Sequence, residues 1–326
     1  MREITFVEAL NEALHEEMER DEKVLVLGED VELAYVFGVT KGLAPRFGKE
    51  RVRDTPISEL GIVGAGVGAA MAGYRPIVEI MFMDFIMLAM DPLVNQAAKL
   101  RYMLGGQISV PMVVRTPGGG GVQYGPTHSQ CLEAWFMQMP GIKVAVPSDP
   151  ADGKGLLKTA IRDDNPVLFV EHKMLYKLKG PVPEGEHLVP FGQAAIKREG
   201  TDITLIGVGY QMANCLRAAD ELAKEGISAE VIDPRTLAPL DTATMARSLR
   251  KTGRCVVVEE GHLRSGVGSE ISAAIQEEAF DYLDAPIGRV AALGVPIPFE
   301  PRLEDFVLPN VGKVIEAAKK TLGVAA

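Results

Sequence analysis

The sequence has few cysteines. Cys131, Cys215 and Cys255 are the three in 326 residues; they stand far apart and form no C-x-x-C pair. Because zinc sites and disulfide frameworks need closely spaced or numerous cysteines, the sequence indicates neither. Isolated cysteines of this kind are typical of reduced thiols, so we expect a cytoplasmic protein.

The chain also lacks an excess of positive charge and a membrane-spanning run. Its net charge of −10 leaves no basic patch to release counterions from a phosphate backbone, so we expect no nucleic-acid partner. The apolar run at 77–90 is broken by Glu79 and Asp84, and the N-terminus has no signal-peptide pattern, so we expect no membrane span. With 47% hydrophobic residues, a chain of this length is long enough for two domains of ordinary size.

Short apolar runs alternate with helix-period segments along both halves of the chain. Thr5 and Glu8 have capping-box spacing, and the apolar residues that follow predict a first helix through Met18. Ser148 is predicted to cap a helix through Ile161. The other predicted helices are 211–224 and 311–322, and the predicted strands are 24–27, 75–80, 110–115, 143–147, 167–170, 202–207, 229–233 and 255–259. This alternation predicts an α/β protein made of two doubly wound domains.

A change of composition marks the candidate domain boundary. Between Lys177 and Pro190 the chain becomes rich in proline, glycine and charged residues. Such a stretch is typical of a linker between domains. We therefore predict a first domain over 1–180, a linker over 181–192 and a second domain over 193–326.

The segment from Asp54 to Pro76 is rich in glycine and alanine. It predicts the end of a strand, a turn, a helix that opens near Ser58 and a stop at Gly73. Glu59 would then lie in the first helical turn, where the helix dipole favours a charged carboxylate, although an ordinary N-terminal helix acid would stand there too. The small residues allow close approach by a neighbouring element or subunit, and their G-x-G-x-G spacing departs from the dinucleotide-binding G-x-G-x-x-G pattern.

Two other polar residues stand where α/β proteins place functional groups. Glu29 follows the predicted strand 24–27, at the carboxyl edge where open sheets bind ligands, although acids there are often loop residues. His128 stands between the glycine-rich run 116–121, which predicts a loop, and a helix start. It is either an acid/base group near neutral pH or a structural histidine bonded to a carbonyl. Three methionines, Met83, Met87 and Met90, have helical spacing. This spacing predicts a packed helix face rather than a cofactor site.

Several strings in the chain resemble one family. The string DTPISE at 54–59, with the glycine-rich run after it, resembles the pyrimidine-binding segment of transketolase-like thiamine-diphosphate enzymes. More narrowly, it is similar to the beta subunit of the decarboxylating component of 2-oxo acid dehydrogenase complexes. The strings HSQC-x-x-AW at 128–135, EEGH at 259–262 and GVGSE at 266–270 extend the resemblance along the chain. It implies a transketolase-like pyrimidine-binding domain followed by a transketolase C-terminal-like domain, in which His262 is structural or peripheral rather than catalytic.

The resemblance implies a set of site residues. Glu59 would hydrogen-bond the pyrimidine ring nitrogen, Phe85 would stack on the ring, and His128 would orient the substrate and move a proton during acyl transfer to a lipoyl sulfur. The catalytic residues implied are Glu59 and His128, and the cofactor-binding residues implied are Glu29, Ile57, Ser58, Glu59, Met81 and Phe85. The residues implied as ligands of a structural potassium ion are the carbonyls of Met112, Ala160, Ile161 and Asn165, with Asp163.

One motif of thiamine-diphosphate enzymes is missing. The Gly-Asp-Gly motif that holds the diphosphate and Mg²⁺ in the family does not occur, and its nearest relative is Ala151-Asp-Gly-Lys154. The resemblance therefore implies half an active site, with Mg²⁺ and the diphosphate held by an alpha subunit in an α2β2 heterotetramer that serves a lipoyl-bearing acyltransferase core. Pyruvate is the leading substrate, acetoin and branched-chain 2-oxo acids are the alternatives, and a non-catalytic scaffold subunit is the alternative of another class.

Overall fold

The computed structural model describes residues 1–33 and 36–325, which divide into two compact units. The first unit comprises Met1–Gly118 and Trp135–Phe191, and the second comprises Gly119–Ala134 and Gly192 onwards. The segment 119–134 thus clusters with the second unit although it lies within the first predicted domain. The boundaries 1–180, 181–192 and 193–326 stay a prediction, and Ala326 lies outside the described residues.

The first unit is organised around parallel strands. Their bounds are β2 (Val24–Gly28), β3 (Val52–Asp54), β4 (Arg75–Glu79), β5 (Val113–Gly118), β6 (Lys143–Ala145) and β7 (Val167–His172). The order is β6-β7-β5-β4-β2-β3 with every pairing parallel. Valine, leucine and isoleucine dominate these strands because helices cover both faces of a parallel sheet. A separate antiparallel pair joins β1 (Arg2–Thr5) to β8 (Lys179–Val182).

Helices of the first unit begin where the sequence supplies caps. Thr5 and Glu8 form the predicted capping box of the first helix. The bounds are α1 (Phe6–Arg20), α2 (Leu43–Phe47), α3 (Glu59–Met71), α4 (Ala98–Met103), α5 (Glu133–Met137, which starts in the second unit's segment) and α6 (Pro150–Arg162). A 3₁₀ helix (Met83–Ala89) leads into a π-helix (Asp91–Ala97) before α4, and another 3₁₀ turn covers Lys173–Leu175.

The second unit repeats the α/β plan. Its strands are β9 (Ala195–Arg198), β10 (Ile203–Gly207), β11 (Ala229–Asp233), β12 (Thr236–Ala238), β13 (Cys255–His262) and β14 (Gly288–Ala292). Its helices are α7 (Gln211–Lys224), α8 (Thr242–Thr252), α9 (Val267–Ala279), α10 (Pro301–Val307) and α11 (Val311–Leu322), with a 3₁₀ turn at Phe280–Tyr282. The sheet order is β14-β13-β10-β11-β9, in which β9 alone is antiparallel to its neighbour. The predicted α/β class with two wound domains is confirmed.

Three local predictions are wrong. The cap of α6 is Asp149 rather than Ser148, because the Asp149 carboxylate accepts from the Asp152 N–H at 2.8 Å. The predicted loop 116–121 begins in strand, because β5 continues to Gly118 in register with His172 of β7. The methionines do not share a packed face: Met87 is 40% exposed. The segment forms a 3₁₀ helix with three residues per turn, so a residue four positions after Met83 points to a different side.

Candidate active site

Three glutamates stand at the carboxyl edge of the first unit's sheet. Glu29 follows β2, Glu79 ends β4, and Glu59 is the first residue of α3. The Glu59 side chain is buried, with 6% of the residue exposed. Its place in the first helical turn lets the helix dipole stabilise the carboxylate, as the sequence predicted.

Glu29 has an unusual environment for a carboxyl group. Its Oε1 atom is buried and has no hydrogen-bond partner among the described residues. Burial raises the pKa of Glu29, and the negative charges of Glu59, Asp30 and Glu79 raise it further. A raised pKa favours the protonated form of Glu29, and a protonated carboxyl group can donate a hydrogen bond as well as accept one. Glu29 and Glu59 therefore bring two hydrogen-bonding carboxyl groups to this edge.

A buried arginine balances the charge of this region. Arg115, on β5 and 2% exposed, donates Nε and Nη2 to the two carboxylate oxygens of Glu171 at 2.7 and 2.8 Å. Its Nη1 atom lies 2.6 Å from Glu79 Oε2, and the Tyr176 hydroxyl donates to Glu171 at 2.7 Å. This network fixes the Glu79 side chain, and a bidentate arginine pair of this kind is geometrically stiff.

Aromatic side chains line the same region. Phe85 meets Phe82 edge-on at a centroid distance of 5.9 Å, and Phe82 meets Phe37 at 5.7 Å. Phe37 in turn lies 5.1 Å from the ring of Tyr176. Met81 and Phe85 are half-buried and follow β4 in the chain. An aromatic side chain at this place suits a flat ring ligand.

Ile57 and Ser58 lie at the start of α3 with exposed side chains; Ile57 is 81% exposed. The exposure continues along one side of the helix through Leu60, Gly64 and Gly68. A Cβ atom placed on Gly64 or Gly68 would meet no described atom within 4 Å. This side of α3 is therefore open for close approach of another backbone.

His128 belongs to the segment 119–134 of the second unit and is half-buried. The backbone N–H of His128 donates to the Gly125 carbonyl at 3.3 Å, and the imidazole Nδ1 atom lies 3.0 Å from Thr127 Oγ1. The other histidine considered, His262, is exposed, and its Nδ1 lies 2.9 Å from the Leu293 carbonyl oxygen.

Four of the five residues expected around potassium lie in or just after the last turn of α6, and the fifth, Met112, directly precedes β5. Arg75 Nη1 bridges the carbonyl oxygens of Ile161 and Asp163 at 3.1 and 3.0 Å. Asp163 Oδ1 accepts from the backbone and side-chain N–H groups of Asn165, both at 2.9 Å, and its other oxygen pairs with Lys143. Burial opposes ionisation of Asp163, but these hydrogen bonds outweigh it and lower the pKa. The last two expected ligands, the carbonyls of Met112 and Ala160, accept backbone N–H groups.

Sequence reasoning missed the groups that support these side chains. Glu79 and Glu171 stand near the ends of apolar strands and Arg115 stands within one. A buried charged residue there must find a partner, and this was the available signal. Glu260 and Glu304, which bind the glycine-rich loop, carry no such local signal because their partners lie 140 and 183 residues away.

Comparison with known proteins agrees with the two-domain architecture. Residues 2–179 match the family model described as transketolase, pyrimidine binding domain, and residues 192–314 match transketolase, C-terminal domain. A solved split-gene transketolase, described as an inactive beta4 tetramer, superposes with a TM-score of 0.80 over 99% of both chains. Its sequence is 24% identical, so this likeness shows the fold alone.

Closer relatives are similar over nearly the whole chain. The pyruvate dehydrogenase E1 component subunit beta of Rickettsia felis is 50% identical over 319 residues, 98% of each chain. The mitochondrial protein of that name from Dictyostelium discoideum is 48% identical over 98% of this chain and 91% of its own. The acetoin:2,6-dichlorophenolindophenol oxidoreductase subunit beta of Bacillus subtilis is 47% identical over 99% of this chain and 98% of its own.

The chain belongs to the transketolase-like family, in the group that contains the beta subunits of pyruvate and acetoin dehydrogenases. The resemblance noted at DTPISE is thereby confirmed. Membership implies thiamine diphosphate as the cofactor, and the name subunit beta implies an alpha partner for the relatives. Among the helices of the described residues, none is both long and apolar enough to cross a membrane.

Proposed function

We propose that this chain is the beta subunit of a 2-oxo acid dehydrogenase, with pyruvate as the leading substrate. The reaction is oxidative decarboxylation with transfer of the acyl group to a lipoyl group. The observation that carries the proposal is the buried Glu29 oxygen at the sheet edge, which has no partner in the described part of the chain and feels the charge of Glu59. The names of the relatives supply the substrate class.

The residues at this edge fit the pyrimidine half of thiamine diphosphate. An aminopyrimidine offers ring nitrogens and an exocyclic amine, which are suitable partners for the Glu29 oxygen that has none among the described residues. Bound thiamine diphosphate would supply the carbanion chemistry of the reaction. Glu59 would hold the pyrimidine ring nitrogen and its proton, and Phe85 and Met81 would pack against the ring.

His128 is proposed as the acid/base group. Its imidazole orients the substrate and moves a proton as the acyl group passes to the lipoyl sulfur. Glu29, Ile57 and Ser58 complete the proposed contacts of this chain with the cofactor. Their roles are inferred from the family motif and from their places at the sheet edge and at the start of α3.

The chain supplies half of the proposed site. It has no Gly-Asp-Gly motif, so Mg²⁺ and the diphosphate are assigned to an alpha subunit. The open side of α3, with Leu60, Gly64 and Gly68, supports close packing against another subunit. We assign the assembly as an α2β2 heterotetramer that delivers acyl groups to a lipoyl-bearing acyltransferase core.

Potassium is proposed as a structural ion at the end of α6. The oxygens of Ile161, Asp163 and Asn165 are hard donors, which suit an alkali cation. Arg75 and Lys143 already bring positive charge to this turn, so the ion would share these oxygens rather than bind them alone.

A second candidate substrate is acetoin. The relative from Bacillus subtilis that carries acetoin in its name is 47% identical over nearly the full chain, close to the values for the pyruvate dehydrogenase subunits. A non-catalytic scaffold role is disfavoured because a scaffold has no physical need for Glu59, Phe85 and His128 together.

The test is thiamine-diphosphate binding, measured by calorimetry with Mg²⁺. The isolated chain is compared with the chain co-expressed with an alpha-type partner. We expect binding only in the assembly, followed by turnover of pyruvate. Tight Mg²⁺-dependent binding to the isolated chain would contradict the divided site. Turnover of acetoin or branched-chain 2-oxo acids in place of pyruvate would reassign the substrate, and binding without turnover of any of them would favour the scaffold.

A further inference from the structure

The glycine-rich loop ahead of His128 is held by two buried glutamates of its own unit. The Gly120 N–H donates to Glu260 Oε1 at 2.6 Å, and the Gly121 N–H donates to Glu304 Oε1 at 2.8 Å. Both side chains are buried, and Glu304 is 2% exposed. Four glycines in a row have no shape of their own, so these carboxylates define the path of the loop.

Glu304 binds the loop with both of its oxygens. Besides the Gly121 N–H, it accepts the backbone N–H and the side-chain Nε2–H of Gln123, each at 3.2 Å. No lysine or arginine within 1–33 and 36–325 forms an ion pair with Glu304, so N–H groups of the loop stabilise its charge. Hydrogen bonds to an ionised acceptor are about twice as strong as neutral ones.

A chain of hydrogen bonds holds the Glu260 side chain. Its Oε2 atom accepts from Gln211 Nε2 at 2.7 Å, at the first residue of α7. Gln211 in turn accepts from Asn214 at 2.7 Å, and Asn214 accepts from Arg217 at 2.5 Å. Glu260, which binds the Gly120 N–H, is therefore hydrogen-bonded to the start of α7. Its side chain moves less than an isolated side chain would.

Positions 119–121 of the loop require glycine. A Cβ atom on Gly120 would lie 2.8 Å from Leu308 Cδ1 and 3.2 Å from Glu304 Oε1. Gly119 and Gly121 have φ of +85° and +87°, a region that other residues rarely adopt. The glycine run is thus explained by close approach to α10 and the residue after it.

His128 stands inside a closed segment. The Gly119 N–H donates to the Gln130 carbonyl at 3.2 Å, which joins the two ends of the segment that contains His128. We propose that Glu304, assisted by Glu260, is the positioning residue that fixes His128 for acyl transfer. This inference rests on the proposed function of His128, and nothing in it requires Glu304 to touch substrate or cofactor.

The proposal predicts which step fails when the anchor is lost. In Glu304→Gln the side chain keeps its size, but one of its two ends becomes an NH₂ group that faces an N–H of the loop. The loop must then shift, and a displacement of about 1 Å at an acid/base group reduces turnover about 10- to 100-fold. The proposal gives Glu304 no contact with the 2-oxo acid, so kcat should fall by a larger factor than KM rises.

The experiment uses the assembly of this chain with its alpha partner. Glu304→Gln weakens the hydrogen bonds to Gly121 and Gln123, and Gly120→Ala places a methyl group against Leu308 and Glu304. Asp305→Asn is the matched control, since it removes an exposed charge from the same helix. The readouts are kcat and KM with a lipoyl acceptor, kcat with an artificial dye acceptor, and amide hydrogen exchange at Gly121 and Gln123.

We expect both anchor variants to exchange these amides faster and to lose lipoyl-dependent kcat, while dye-dependent turnover falls less and Asp305→Asn matches the wild type. Faster exchange with unchanged lipoyl-dependent kcat would overturn the positioning role, and unchanged exchange would overturn the anchor itself. Wild-type assemblies that are inactive on every substrate would overturn the proposed function instead, and hydrogen exchange would still decide the anchor.

Discussion

Glu133 provides a direct test of the electrostatics of the second unit. This glutamate is buried at the start of α5. Burial raises its pKa to about 7 from an ordinary value of 4.5, and the negative charges of Glu259 and Glu260 contribute to the increase. A shift of this size corresponds to about 3 kcal/mol between the two protonation states.

The sign of the effect on stability follows from proton binding. Between pH 4.5 and about 7 the folded chain keeps the proton on Glu133 while the unfolded chain releases it. Stability therefore decreases as the pH rises through this window, and the full loss of about 3 kcal/mol is present above pH 7. Glu133→Gln is neutral at every pH, so it should match the wild type near pH 4.5 and exceed it at pH 8.

The assay is denaturant unfolding of the chain between pH 4.5 and 8, followed by hydrogen exchange of α5 and β13 to localise the change. Glu277→Gln is the control, because Glu277 is an exposed acid of α9. It should leave the difference between pH 5 and pH 8 unchanged. Parallel pH profiles for wild type and Glu133→Gln would refute the reasoning, since they would mean that Glu133 ionises as readily in the folded chain as in the unfolded one.

Three further predictions concern the first unit. Glu59→Gln should lower turnover of the α/β assembly by at least about 100-fold without altering assembly by gel filtration, and near-normal activity would remove Glu59 from the mechanism; Glu50→Gln, an exposed change, is its control. Arg115→Met leaves Glu171 and Glu79 without their cation and should cost about 3–5 kcal/mol in denaturant unfolding, whereas a loss below about 1 kcal/mol would mean that the ion pair is not formed. Saturating potassium should raise the unfolding temperature relative to sodium or lithium at equal ionic strength, and equal temperatures in all three salts would exclude the ion proposed at Asp163.

Elements with strong local signals were predictable from the sequence. The bounds of α7, β11 and α11 are those that the apolar periodicity predicted, because each has a clear amphipathic or fully apolar pattern. The cap of α6 was misplaced by one residue, since Ser148 and Asp149 are both good caps and only Asp149 reaches the Asp152 N–H. Local sequence offered no means to choose between them.

The candidate site was predictable only in part. Glu29 and Glu59 stand at strand and helix ends, so their places at the sheet edge followed from the order of elements. The ion pair of Arg115 with Glu171 and the hydrogen bond of Glu304 with Gly121 could not be predicted, because each joins residues far apart in the chain. Long-range pairing of buried charges depends on how the sheets and helices pack, which a single sequence does not encode in any short pattern.

The excursion of residues 119–134 out of the first unit and into the second has a consequence for biosynthesis. During synthesis, Glu304 follows Gly121 by 183 residues. The hydrogen bond between them can therefore form only when nearly the whole chain has been synthesised. Contacts of such long sequence separation form late in folding. No single cut can separate the two units: a fragment ending at Phe191 would retain the segment with His128 but not the carboxylates that give it its shape.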